Sequence, residues 1–129
     1  MAADAERVWS LLADVERWPS WTRSVQSVEI DGPLEVGTVA TIKQPRLPVA
    51  QWLVTEVLPG RSFTWESRVG GLHSVARHDV EPGAAGTSRV TLSLRQTGPL
   101  ARPVAVLLGR LTRRYVSMEA EGLADAASR

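Results

Sequence analysis

The spacing of apolar residues divides the chain into a helical start, a long alternating stretch and a helical end. Apolar residues that recur every three or four positions predict a first helix over 5–14, with Asp4 as its N-terminal cap. Pro19 cannot continue this helix, so a second short helical turn is predicted there. Trp18 and Trp21 flank Pro19, and we expect them either to close one end of the interior or to wedge the helices against a sheet.

Between residues 25 and 99 the apolar period changes to two, which is typical of β-strands. Six strands are predicted, over 25–30, 38–44, 49–57, 62–69, 72–80 and 89–96. The connections between them are short and rich in glycine and proline. Because short connections join antiparallel strands, the pattern predicts an antiparallel meander.

The helical period returns after Pro99 and predicts an amphipathic helix over 103–124, about 33 Å long. Such a helix needs an apolar surface of similar length, and the sheet is the only one in the chain. The predicted fold class is therefore α+β, with a curved antiparallel sheet wrapped around a long C-terminal helix and two short helices near the N-terminus. Residues 1–129 are predicted to form a single domain.

The hairpin turns predict which strand residues face the helix. A two-residue turn at Gly70 and Gly71 fixes the register of its two strands, and the same assumption at Pro59 and Gly60 adds the strand before them. The predicted inner face carries Trp52, Val54, Phe63, Trp65, Val69, Leu72, Val80, Val90, Leu92 and Leu94, interrupted by Glu56, Ser67, Ser74, His78 and Gln96. An apolar wall with a few polar groups is typical of a small-molecule pocket. The alternative is a solid core with the polar residues near strand ends.

Composition and charge exclude several classes of site. Fifteen basic and fourteen acidic residues leave a net charge of +1, so we expect no nucleic-acid partner. Cysteine is absent, which excludes disulfides and thiolate chemistry. His73 and His78 are predicted to face opposite sides of one strand, so no metal site is expected there. We expect no cofactor either. The longest aliphatic run, 104–108, is too short for a membrane span or a signal segment, and we expect a cytoplasmic protein.

The segment over residues 6–21 (ERVWSLLADVERWPSW) resembles the opening helices of the polyketide cyclase/dehydrase family. Residues 54–61, 113–116 and 119–123 are similar to it too. This family belongs to the START-like (SRPBCC, helix-grip) superfamily, and the resemblance implies a sheet that grips the C-terminal helix around a hydrophobic cavity. It also implies a strand before the first helix. Only four residues precede that helix, so we expect this first family strand to be missing, or lost to a start codon placed too late. The open sheet edges then predict a homodimer.

Three classes of function stay open at this point. The first is binding of a small hydrophobic ligand that is lipid-like or polycyclic and polyketide-like. The predicted ligand-binding residues are Trp52, Phe63, Trp65, Ser67, Ser74, His78, Leu92, Leu111 and Tyr115. The second class is a polyketide cyclase or dehydratase, in which His78 and Glu56 would move protons across the cavity; the alternative is an inert, hydrogen-bonded His78. The third class is a protein-interaction module, which draws only on the open edges.

Overall fold

The computed structural model describes all residues, 1–129, and contains two α-helices, two short 3₁₀-helices and six strands. The α-helices are α1 (Ala5–Ala13) and α2 (Ala101–Ala127), and the 3₁₀-helices are Val15–Ser20 and Ala84–Gly86. The strands are β1 (Ser27–Ile30), β2 (Val39–Lys43), β3 (Ala50–Leu58), β4 (Ser62–Val69), β5 (Leu72–Pro82) and β6 (Ser88–Thr97). This order confirms the predicted α+β class.

The six strands form one open antiparallel sheet in the order β1-β2-β3-β4-β5-β6, as the short connections predict. Strands β1 and β6 are its edges. At the start of β6, the Met1 amino group donates a hydrogen bond of 2.5 Å to the Ser88 carbonyl, and the Ser88 amide donates one of 3.0 Å to the Met1 carbonyl. The N-terminal residue thus lies along the outer edge of β6. Pairing of these edges with a second chain stays a prediction.

The hairpin between β4 and β5 has the predicted register. Val69 pairs with Leu72 across the two-residue turn, and Phe63 pairs with His78 at the far end. Gly70 has a φ of 55°, a left-handed conformation that glycine adopts without steric cost. This register places His78 on the inner face of the sheet and His73 on the outer face.

The predicted position of Glu56 on the inner face is wrong. The loop between β3 and β4 has three residues, since Leu58 pairs with Ser62, and a β-bulge then shifts the register between Val54 and Glu56. The extra loop residue and the extra bulge residue cancel, so Val54 still pairs with Trp65 as predicted. The residues of β3 between the bulge and the loop therefore face the side opposite to the predicted one, and Glu56 points outward.

The core lies between α1, the 3₁₀-helix Val15–Ser20, the sheet and the C-terminal part of α2. Asp4 caps α1 as predicted, because its carboxylate accepts a hydrogen bond from the Arg7 amide. Val8 and Leu12 on the inner side of α1 are fully buried, and so is Leu123 of α2. The two helices thus close one end of the sheet together.

Helix α2 is longer than predicted and has two unlike halves. Its 27 residues span about 40 Å. The C-terminal half is packed into the core, whereas Val106 and Leu107 in the N-terminal half are 84% and 80% exposed. At this level Val104 and Leu108 line the space between α2 and the sheet, whereas Val106 and Leu107 point away from it.

Candidate ligand cavity

A cavity of about 280 Å³ lies between the inner face of the sheet and α2. Sixteen of its 26 lining residues are hydrophobic, so most of its wall is apolar. The lining residues are Trp18, Val25, Ile42, Gln44, Leu47, Pro48, Ala50, Trp52, Trp65, Ser67, Val69, Leu72, Ser74, Ala76, Arg77, His78, Leu92, Ser93, Leu94, Gln96, Val104, Leu108, Thr112, Tyr115, Val116 and Glu119. The interior is therefore open rather than a solid core.

Three tryptophans form an aromatic wall. The ring of Trp65 lies between those of Trp18 and Trp52, with centroid separations of 5.4 and 6.1 Å. Trp18 is 2% exposed, and its indole N–H donates a hydrogen bond of 3.0 Å to the carbonyl of Leu12. Because this bond fixes the ring, Trp18 holds a constant surface at the end of the cavity. Trp21 packs on the far side of Trp18, outside the lining.

The polar end of the cavity is formed by His78 of β5 and Glu119 of α2. Their Nε2 and Oε1 atoms are 3.5 Å apart, and the side chains are 6% and 15% exposed. Phe63 stacks on the His78 ring with a centroid separation of 4.2 Å and an angle of 10°. The Nδ1 atom of His78 lies 3.4 Å from the Phe63 carbonyl oxygen, which can only accept a hydrogen bond. Phe63 thus orients the imidazole so that Nε2 faces Glu119.

Glu119 takes the place that the sequence interpretation gave to Glu56. The Glu56 carboxylate is half exposed on the outer face, where it lies 3.8 Å from the Arg77 guanidinium, so it cannot act across the cavity from His78. Sequence reasoning missed Glu119. The sequence feature that indicates Glu119 is its position four residues after Tyr115, which puts both residues on one face of α2.

Two further polar groups sit on the strand side of the cavity. Gln96 donates a hydrogen bond of 3.2 Å to the Ser74 hydroxyl, and Ser74 pairs with Ser67 on the neighbouring strand. Ser67 and Ser74 are 4% and 6% exposed. These hydroxyls are therefore buried in the strand wall of the cavity.

The loop between β2 and β3 covers one side of the cavity. Leu47 and Pro48 from this loop are part of the lining. The Tyr115 hydroxyl donates a hydrogen bond to the Pro45 carbonyl, and the Lys43 ammonium donates one to the Leu47 carbonyl. The loop is thus held to α2 on one side and to β2 on the other.

Seven of the nine predicted ligand-binding residues lie on the cavity lining. They are Trp52, Trp65, Ser67, Ser74, His78, Leu92 and Tyr115. Phe63 is fully buried behind His78, and Leu111 lies on α2 away from the lining. These two residues lie off the lining, because Phe63 sits in a layer behind His78 and the rotation of α2 turns Leu111 away from the cavity. Contact of any of the nine residues with a ligand stays a prediction.

The outer face of the sheet carries a separate hydrogen-bonded pair. The His73 Nε2 atom lies 2.7 Å from the Glu66 carboxylate, and this hydrogen bond lowers the pKa of Glu66 below its ordinary value of 4.5. No three His, Cys, Asp or Glu side chains lie close enough together to hold a metal ion. Neither helix is long and apolar enough to cross a membrane.

Comparison with known proteins gives both a family and a set of similar folds. The family described as polyketide cyclase/dehydrase and lipid transport matches residues 1–128. No match was found among curated proteins by sequence.

Among solved structures, an aromatase/cyclase from a Streptomyces species is similar, with a TM-score of 0.81, 18% identity and coverage of 99% of this chain and 88% of that one. Norcoclaurine synthase from Thalictrum flavum, in complex with dopamine and hydroxybenzaldehyde, has a TM-score of 0.71 at 16% identity, over 98% of this chain and 80% of that one. A START superfamily protein from Mycobacterium smegmatis has a TM-score of 0.69 at 17% identity, over 95% of this chain and 90% of that one. These likenesses show the helix-grip fold.

Proposed function

The chain belongs to the polyketide cyclase/dehydrase and lipid transport family, and from that premise we propose that it binds a small hydrophobic molecule between the sheet and α2. The observation that carries this proposal is the cavity of about 280 Å³ walled by Trp18, Trp52 and Trp65. Sites for drug-sized ligands are typically about 300–1,000 Å³ and mostly apolar. The size here favours a compact polycycle or a short chain over a long lipid.

A pair of neighbouring substitutions on β5 tests this proposal. Ser74→Phe puts a ring into the cavity, whereas Val75→Phe puts the same ring on the opposite face of the strand. We expect wild type and Val75→Phe to bind 2-methylnaphthalene in a calorimetric titration, and Ser74→Phe to lose this binding. Native mass spectrometry of freshly purified protein shows in addition whether a small molecule is retained. Equal binding by the two variants would place the ligand outside the cavity.

We propose proton transfer to and from a bound carbonyl compound as a second candidate function, one that a cyclase or dehydratase requires. The observation that favours it is the buried His78–Glu119 pair at the cavity end. One of these side chains removes a proton from the carbon next to the carbonyl group, and the resulting enolate takes a proton back at the same carbon.

Hydrogen–deuterium exchange at the methyl group of 2-acetylnaphthalene measures this step by NMR in D₂O. We expect wild type to accelerate exchange and Glu119→Gln to lose about a hundredfold of that acceleration, the usual contribution of one positioned base. Glu121→Gln, an exposed change on the same helix, is the control. If Glu119→Gln exchanges as fast as wild type, Glu119 does not take part in the proton transfer.

A further inference from the structure

The cavity contains one buried carboxylate oxygen whose hydrogen-bonding capacity is unused. Glu119 Oε1 is shielded from solvent and accepts no hydrogen bond. The Nε2 atom of His78 lies 3.5 Å away, which is longer than a normal hydrogen bond. A buried acceptor without a partner costs free energy, so a donor that reaches Oε1 stabilises this arrangement.

Such a donor has to arrive through the cavity. The far side of His78 is covered by the rings of Phe63 and Trp18, whose centroids are 4.2 and 5.3 Å from the imidazole. The side chain of Gln96, an amide in the wall, already donates to Ser74. The protein therefore leaves the position beside Glu119 to a ligand.

We propose that His78 and Glu119 recognise a hydroxyl group on the ligand, so that the ligand is a neutral compound with a phenol, enol or alcohol at one end and an apolar ring system at the other. A hydroxyl can donate to Oε1 and can either donate to or accept from Nε2 of His78, whereas an ammonium group can only donate. This inference rests on the proposed binding function.

Calorimetric titration with 2-naphthol and 2-methylnaphthalene, which differ by a hydroxyl in place of a methyl group, tests the inference. We expect wild type to bind the naphthol at least about tenfold more tightly, because a hydrogen bond to a charged group contributes that much. Glu119→Leu should abolish the preference for the naphthol over the hydrocarbon, and Glu119→Gln, which keeps an acceptor oxygen, should reduce it. Glu121→Leu on the exposed side of α2 should keep it in full.

The outcomes separate this inference from the proposed function. Equal wild-type affinities for the two probes would overturn hydroxyl recognition and leave hydrophobic binding intact. If a folded Glu119→Leu variant still prefers the naphthol, another group of the cavity wall binds the ligand hydroxyl, and the inference is overturned. Tighter binding of naphthylmethylamine than of the naphthol would contradict a neutral ligand. Binding of no probe would overturn both proposals.

Discussion

At Gly122, α2 packs against Trp21, the residue that follows the 3₁₀-helix Val15–Ser20. Substitution of Gly122 therefore tests the placement of α2. A Cβ atom added at Gly122 would overlap the carbonyl oxygen of Trp21 and lie 3.0 Å from the carbonyl carbon. Gly109, in the same helix, has only the end of the Arg113 side chain near its Cβ position, at 3.5 Å. Gly122→Ala and Gly109→Ala therefore form a matched pair.

The two substitutions should have opposite signs. Alanine in place of glycine inside a helix stabilises by about 1 kcal/mol, and this gain applies at both positions. At Gly122 the obstacle is backbone, which cannot rotate away, so overpacking costs about 3 kcal/mol. The expected result is a loss of about 2 kcal/mol for Gly122→Ala and a gain of about 1 kcal/mol for Gly109→Ala.

Thermal unfolding followed by circular dichroism measures this difference. At about 4 °C per kcal/mol for a chain of this size, Tm should fall by about 8 °C in Gly122→Ala and rise by about 4 °C in Gly109→Ala. A rise of similar size in both variants would refute the close approach of α2 to Trp21. It would also remove the reason for placing Glu119, three residues earlier, beside His78.

Three further predictions concern the cavity wall, the outer face and the covering loop. Trp18→Phe should destabilise the fold by about 3 kcal/mol, because the carbonyl of Leu12 loses its donor and the core loses volume; unchanged stability in urea unfolding would contradict this. The hydrogen bond from His73 lowers the pKa of Glu66, so the stabilisation by this bond is full above the ordinary value of 4.5 and is lost as the pH falls through the lowered value. Glu66→Gln should therefore flatten the dependence of Tm on pH below about 5. A Tm curve parallel to that of wild type would refute this prediction. Tyr115→Phe should release the β2–β3 loop and speed dissociation of 2-methylnaphthalene about fivefold in stopped-flow fluorescence, and an unchanged rate would show that the loop does not control exit.

The inner face of the sheet could be predicted wherever one turn set the register. Gly70 and Gly71 form a two-residue turn whose pairing extends unbroken to Phe63 and His78, so one local feature placed a whole hairpin. The end of β3 could not be predicted in this way, because the bulge at Thr55 has no glycine or proline to mark it. The bulge depends on the fit between neighbouring strands, which is a tertiary property.

The partner of His78 could be predicted only in part. The apolar stripe of α2 indicates which helix face meets the sheet, and Glu119 falls on that face together with Tyr115. Which strand residue lies opposite depends on how far α2 is shifted along the sheet. The close approach of Gly122 to the backbone of Trp21 accompanies that shift, and no periodic pattern reveals this contact.

The central claim, a ligand cavity behind the tryptophan wall, is tested most directly by the five indole N–H signals in an NMR titration. Trp18, Trp52 and Trp65 line the cavity, while Trp9 and Trp21 lie outside the lining. On addition of 2-methylnaphthalene, the account predicts shifts for the first three signals and small or no shifts for the other two. Shifts confined to Trp9 and Trp21, or no shift at all, would contradict it.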